Sequence, residues 1–201
     1  MKVVLAAVAA TLAAFLAAHA AFAAPARVAT AGPQCGGSLW KMMTLADNGT
    51  SVNWNPSVTT VGDIAKLVAP AKVTATRTTS FQKRVWKLDD VVIDRYRLAS
   101  NGEIVLRLYD VPSATYMNAY APAPACMSAK ANLRKAMVNA RNGLVKNCPA
   151  PTNEWQLLGA HAVLFGVGFW NPVKTTPGAL PSGAELRPLV GLTITQGCGK
   201  G

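Results

Sequence analysis

The sequence predicts a mainly β domain, a small five-stranded barrel with one helix in the order β-β-β-α-β-β, behind an export signal and a loop-rich extension. Three observations lead there. Strand-like alternations of apolar and polar residues begin near residue 81. An Asn101-Gly102 turn joins the first two of them. The one long stretch with helical apolar spacing, 127–146, falls between the third strand and the fourth.

The chain starts with Lys2, the only charge before Arg27, and then an Ala-rich apolar run that ends in Ala21-Phe22-Ala23. A lone cation, a short apolar run and a small-x-small end make a secretory signal, with cleavage expected after Ala23. The run contains His19 and is followed by Pro25, which argues against an uncleaved anchor helix. No later stretch is apolar for long enough to span a bilayer, so the product is expected in the periplasm or outside the cell. Removing 23 of the 201 residues leaves 178, enough for one domain with its own core. Losing Lys2 leaves 19 basic residues against 9 acidic ones, a net charge of +10. Such an excess favours anionic partners such as nucleic acid, lipid headgroups or acidic polysaccharide, although charge bears on association and not on chemistry.

Residues 24–80 read as the extension, with Gly36-Gly37, Asn48-Gly49, Asn55-Pro56 and Ala69-Pro70 as loop signals. Within it, Ile64, Leu67 and Val68 form a short helical stripe over 61–68, with Thr59 or Thr60 as cap. The barrel occupies 81–201. Its first strand, 81–98, carries Trp86, Leu88, Val92, Tyr96 and Leu98, and Asp89-Asp90 predicts a bulge midway. The second, 103–109, puts Ile104, Leu106 and Leu108 on one face and Val105, Arg107 and Tyr109 on the other. The third, 114–120, aligns Tyr116, Asn118 and Tyr120. The helix follows, with Leu133, Met137, Ala140 and Leu144 facing the core. A long Gly-interrupted strand at 155–170 and a last one at 184–195 complete the set, which is the element order of an OB-type barrel.

Cys35, Cys126, Cys148 and Cys198 form an even set in an exported chain and predict two disulfides. Three connectivities are open; position favours Cys35–Cys198, tying the mature ends, with Cys126–Cys148 bracketing the helix. No CxxC is present and His161 is the only mature histidine, so neither a metal site nor a cofactor is expected. His161 itself, in an apolar stretch, reads as a satisfied core or edge residue.

The residues from Cys35-Gly36 through Trp40-Lys41 and Thr44-Leu45-Ala46-Asp47, then Gly166-Val167-Gly168-Phe169-Trp170 and Ala184-Glu185-Leu186-Arg187-Pro188-Leu189, resemble a family of uncharacterised exported bacterial proteins. The resemblance spans nearly the whole mature chain and implies an OB-type barrel similar in shape to staphylococcal nuclease. It implies no activity. At four polar positions the chain departs from the family pattern: Arg187, and Val105 or its neighbour, stand where a His is usual, Asn171 where an Asp is usual, and the loop His is absent, with Lys174-Thr175-Thr176 in that region.

Three functional readings follow from the residues. Arg107, Tyr109, Tyr116 and Tyr120 on strands two and three, with Lys83, Arg84, Lys87, Arg95 and Arg97 on strand one, supply rings and cations to one sheet. That pairing suits single-stranded nucleic acid or an envelope polysaccharide, since bases and sugars stack on rings while cations meet the charges. Binding of such a polymer, without catalysis, is the expectation. The alternative is a nuclease-like metal-dependent phosphodiesterase using Asp94, Glu103, Asp110 and Glu185, because phosphoryl chemistry needs carboxylates for a metal and cations for transition-state charge. A structural envelope protein held by its charge is the third reading.

Overall fold

The computed structural model describes residues 35–198, so the export signal lies outside the described residues. The order is α1 (Trp40–Met43), β1 (Asn53–Thr59), α2 (Val61–Ala65), β2 (Arg84–Leu98), β3 (Ile104–Asp110), β4 (Thr115–Ala121), α3 (Ala131–Val145), β5 (Gln156–Trp170) and β6 (Ala184–Gln196), with a 3-10 turn at Pro124–Cys126.

The fold is mainly β, but the described strands number six, not the expected five. The additional one is β1, inside the segment read as loop. Its sequence, Asn53-Trp54-Asn55-Pro56, lacks the alternation of a half-buried strand, and most of it is exposed. It is an edge strand, paired in parallel with the first half of β2, where a proline is tolerated because the outer side carries no ladder. The other five strands pair in the sequence β2-β3-β4-β6-β5, and β5 returns to β2 along most of its length, so their hydrogen bonds close a ring. The seam between β4 and β6 is parallel and narrow, at Ala119 opposite Leu186.

The expected bulge in β2 is present: the register with β5 shifts between Leu88 and Val91, and Asp90 has φ of 52°. Each shift re-aims the side chains, so Leu88, then Val91 and Ile93, then Tyr96 all reach the core. Inside the ring these residues meet Ile104, Leu106 and Leu108 of β3, Met117 and Ala119 of β4, and Leu164, Leu186 and Leu189. α3 buries Leu133, Met137, Ala140 and Leu144, the predicted stripe. α2 starts at the predicted cap, where the Thr60 hydroxyl accepts from the Asp63 N–H at 3.0 Å. Asp63 in turn pairs with Lys66, whose hydrogen bond holds the carboxyl below its usual range.

The buried Arg77 ties the N-terminal residues down. It donates to Asp47 at 2.8 Å and to the carbonyls of Met42 and Gln82 at 2.8 and 3.2 Å.

The positional disulfide pairing is corrected. Cys35 bonds Cys126, and Cys148 bonds Cys198. The ring brings the end of β6 back beside the C-terminus of α3, so Cys198 meets Cys148, and Cys35 is left to the turn before α3. Proximity along the chain gave way to proximity in the sheet.

Candidate functional site

The predicted polymer face is the outer side of β2, β3 and β4, opposite the core. On β3 the alternation that buries Leu106 and Leu108 turns Arg107 and Tyr109 outward. Register then sets the neighbours: Tyr109 lies opposite Tyr116, and Arg107 has Asn118 on one side and Arg95 on the other. The Tyr109 and Tyr116 rings are 4.8 Å apart and tilted, and the Arg107 guanidinium is 5.0 Å from the Tyr116 ring. Tyr116 is 40% exposed and Arg95 is exposed. Arg107 is also held by Asp94, through Nε at 2.8 Å and through Nη2, so part of its charge is met within the protein.

The remaining predicted residues lie elsewhere. The Arg97 guanidinium stacks 5.3 Å from the Trp155 ring. Tyr120 is only 5% exposed. Burial pushes its hydroxyl well above the usual tyrosine range, and Thr176 hydrogen-bonds to it. The cause is the loop between β5 and β6, which lies across the upper half of β3 and β4. Gly178 rests there against Arg107 and Asn118, so closely that a Cβ would stand 2.6 Å from Cγ of Arg107, and its φ of +89° also favours glycine. The Asn118 amide holds the loop, donating to the Pro177 carbonyl at 3.0 Å and accepting from the Ala179 N–H at 3.2 Å. Of this group Arg95 and Tyr116 stay exposed, with Arg107 and Tyr109 half-buried beside them.

A second cluster, missed as a unit in the sequence, sits below that loop. Arg187 of β6 is sandwiched by the Tyr120 ring at 4.3 Å and the Phe169 ring at 5.9 Å. Its Nε and Nη2 both donate to Glu103, and Nη1 donates to Glu185 at 3.4 Å. Asn171 donates to the other Glu185 oxygen at 3.1 Å. Burial pushes the Glu185 carboxyl up to about 7, against the opposing pull of Arg187. Arg187 and Asn171 reach the wall of a cleft of about 340 Å³ whose other side is the 36–43 segment. The one signal in the sequence was the polar Glu-Leu-Arg inside an otherwise apolar strand.

The four acids of the phosphodiesterase reading fall in three separate places. Asp94 holds Arg107. Asp110 accepts from Ser113 and from the Gly62 N–H. Glu103 and Glu185 flank Arg187. Among the described residues no group of three or more His, Cys, Asp or Glu side chains is placed to hold a metal ion. His161 is half-buried within β5, paired with Val92 of β2 and Gln196 of β6, with Nδ1 2.8 Å from Asp90. No helix among the described residues is long and apolar enough to cross a membrane.

No family model, curated protein or solved structure matches the chain.

Proposed function

We propose that this is an exported binding protein, its ring an OB-type barrel, that holds an anionic polymer across the outer face of β2, β3 and β4. The order β2-β3-β4-β6-β5 with a parallel β4–β6 seam supports the barrel reading. In such barrels the second and third strands commonly carry the ligand, here β3 and β4. The observation that carries the function is the Tyr109–Tyr116 pair at 4.8 Å with the Arg107 guanidinium against Tyr116. Two ring faces and a cation meet the minimal need of a strand whose bases or sugars stack while its charges are neutralised. Arg95, exposed beside them, adds a second cation, and the net charge of the chain steers a polyanion towards the face.

The test is anisotropy titration of the mature protein with labelled oligothymidylate and with an anionic polysaccharide, at several salt concentrations. The expected result is salt-sensitive binding that Tyr116→Ala weakens by roughly five- to a hundredfold, the span of one lost stack. Arg95→Ala is expected to flatten the salt dependence. Binding untouched by both substitutions overturns the proposal, and absence of binding to either polymer favours the structural reading. Cleavage on adding Ca²⁺ or Mg²⁺ favours the phosphodiesterase instead.

A further inference from the structure

A different surface of the molecule carries an independent inference. The sheet has a second outward face, on β1, the first half of β2, and β5. There α3 covers Val85 and Val167 with Leu133 and Met137. It does not reach β1, where Trp54 stays 39% exposed and Val58 69% exposed. Between the helix and β1 lies a cleft of about 450 Å³. That size falls in the range of small-ligand sites, roughly 300–1,000 Å³.

Its chemistry is uneven. Trp54, Pro56, Leu133, Ala136 and Phe165 make the walls apolar, and Asn132 is the one polar side chain among the described lining residues. A sugar, which needs hydrogen-bond partners around its ring, finds too few. A hydrocarbon chain needs none. The strand register then supplies a head-group contact. Val58 lies opposite Lys87, and Lys87 opposite Phe165, so the three share one face in a row across the sheet. The Lys87 ammonium stands 5.9 Å from the Phe165 ring, over a wall of the cleft. Its partner Asp89, at 2.8 Å, is nearly half exposed, so this surface pair is weak and exchangeable. On α3, Lys135 is exposed one turn after Asn132, adding a cation on the solvent side.

We propose that this cleft binds a single-chain anionic amphiphile, with its hydrocarbon chain between β1 and α3 and its charged head at Lys87. Apolar walls, one well-placed ammonium and a volume suited to a small ligand are what that chemistry requires.

The experiment is calorimetric titration of the mature protein with dodecanoate below its micellar concentration. Octanoate and dodecyltrimethylammonium serve as chain-length and head-group comparators. Dodecanoate is expected to bind at least about tenfold tighter than octanoate, because each buried methylene adds to affinity, and tighter than dodecyltrimethylammonium, whose cationic head is repelled by Lys87. Ala136→Phe fills the cleft and is expected to lower affinity about tenfold or more. Lys87→Gln, on the surface, is expected to remove the preference for the anion without affecting folding. Tyr116→Ala should leave dodecanoate binding unchanged, which separates this site from the polymer face. Equal affinity for both head groups, or Ala136→Phe binding like wild type, overturns the proposal. So does attachment to phosphatidylglycerol vesicles with no uptake of free dodecanoate, since that outcome marks surface adsorption. If Ala136→Phe does not fold, Lys87→Gln and the chain-length series decide alone.

Discussion

Arg187 of β6 grips Glu103, 84 residues earlier in the chain, through Nε and Nη2, with both side chains out of solvent. Arg187 directly follows Leu186, the residue through which β6 pairs with β4, so the ion pair sits beside the narrowest seam of the ring. Glu103 accepts a further hydrogen bond from Asn101 at 2.6 Å, which ties the hairpin turn to the same charge. A buried pair of this kind is costly to break from one side, because the remaining charge stays dry and unmatched. Arg187→Met is therefore expected to cost about 3–5 kcal/mol in urea unfolding. The double variant with Glu103→Gln should recover a good part of that. A double variant as unstable as the single one contradicts the pairing.

Glu185 adds a pH term to the same cluster. Its carboxyl is pushed up to about 7 by burial, above its unfolded value near 4.5. A group whose folded pKa is raised contributes stability that is whole below the unfolded pKa and is lost as pH rises through the folded one. The window is thus about pH 4.5 to 7, with stability falling as pH rises. Glu185→Gln keeps hydrogen-bonding capacity but does not titrate. Its stability relative to wild type is expected to rise across that window, by on the order of 2–3 kcal/mol. Parallel stability–pH curves for the two proteins contradict this.

The disulfide connectivity yields its own outcome. Proteolysis without reductant, followed by mass spectrometry, should recover Cys35 linked to Cys126 and Cys148 linked to Cys198. Replacing Cys148 and Cys198 together by alanine removes a closure of 50 residues. In the chain-entropy model that loss amounts to about 4 kcal/mol. Thermal unfolding of the double variant measures it.

Gly143 of α3 reverses the ordinary rule for helices. Alanine there should gain about 1 kcal/mol of helix propensity. A Cβ at this position, however, would stand 2.4 Å from the backbone carbonyl oxygen of Leu192 on β6, so the helix must lift off the sheet. Gly143→Ala is expected to destabilise by about 1–3 kcal/mol, the usual cost of overpacking. A gain in Tm contradicts the close approach.

Much of the architecture was readable from residue order. The alternation in 103–109, the Asn101-Gly102 turn and the Leu133-Met137-Ala140-Leu144 stripe each have local causes and correspond to β3, its hairpin and α3. The Asp89-Asp90 bulge was legible because two adjacent acids cannot both leave an apolar alternation without an extra residue. β1 was hidden, since an edge strand with Pro56 and little burial carries no periodic signal. On the outer side of β3 and β4, Arg107, Tyr109 and Tyr116 were foreseen as neighbours because a hairpin register places them together. The withdrawal of Tyr120 was not, because it depends on a loop more than fifty residues later in the chain.

Alone, the sequence determined five of the six described strands, the long helix and the even set of cysteines, which are read from neighbours within a few positions or from composition. Tertiary structure decided which cysteines meet, which tyrosine is covered, where Glu103 finds its cation and how the Trp54 cleft forms. The physical reason is common to these: closing a ring brings distant residues within bonding distance. Those encounters depend on sheet register and loop path, which local composition does not encode.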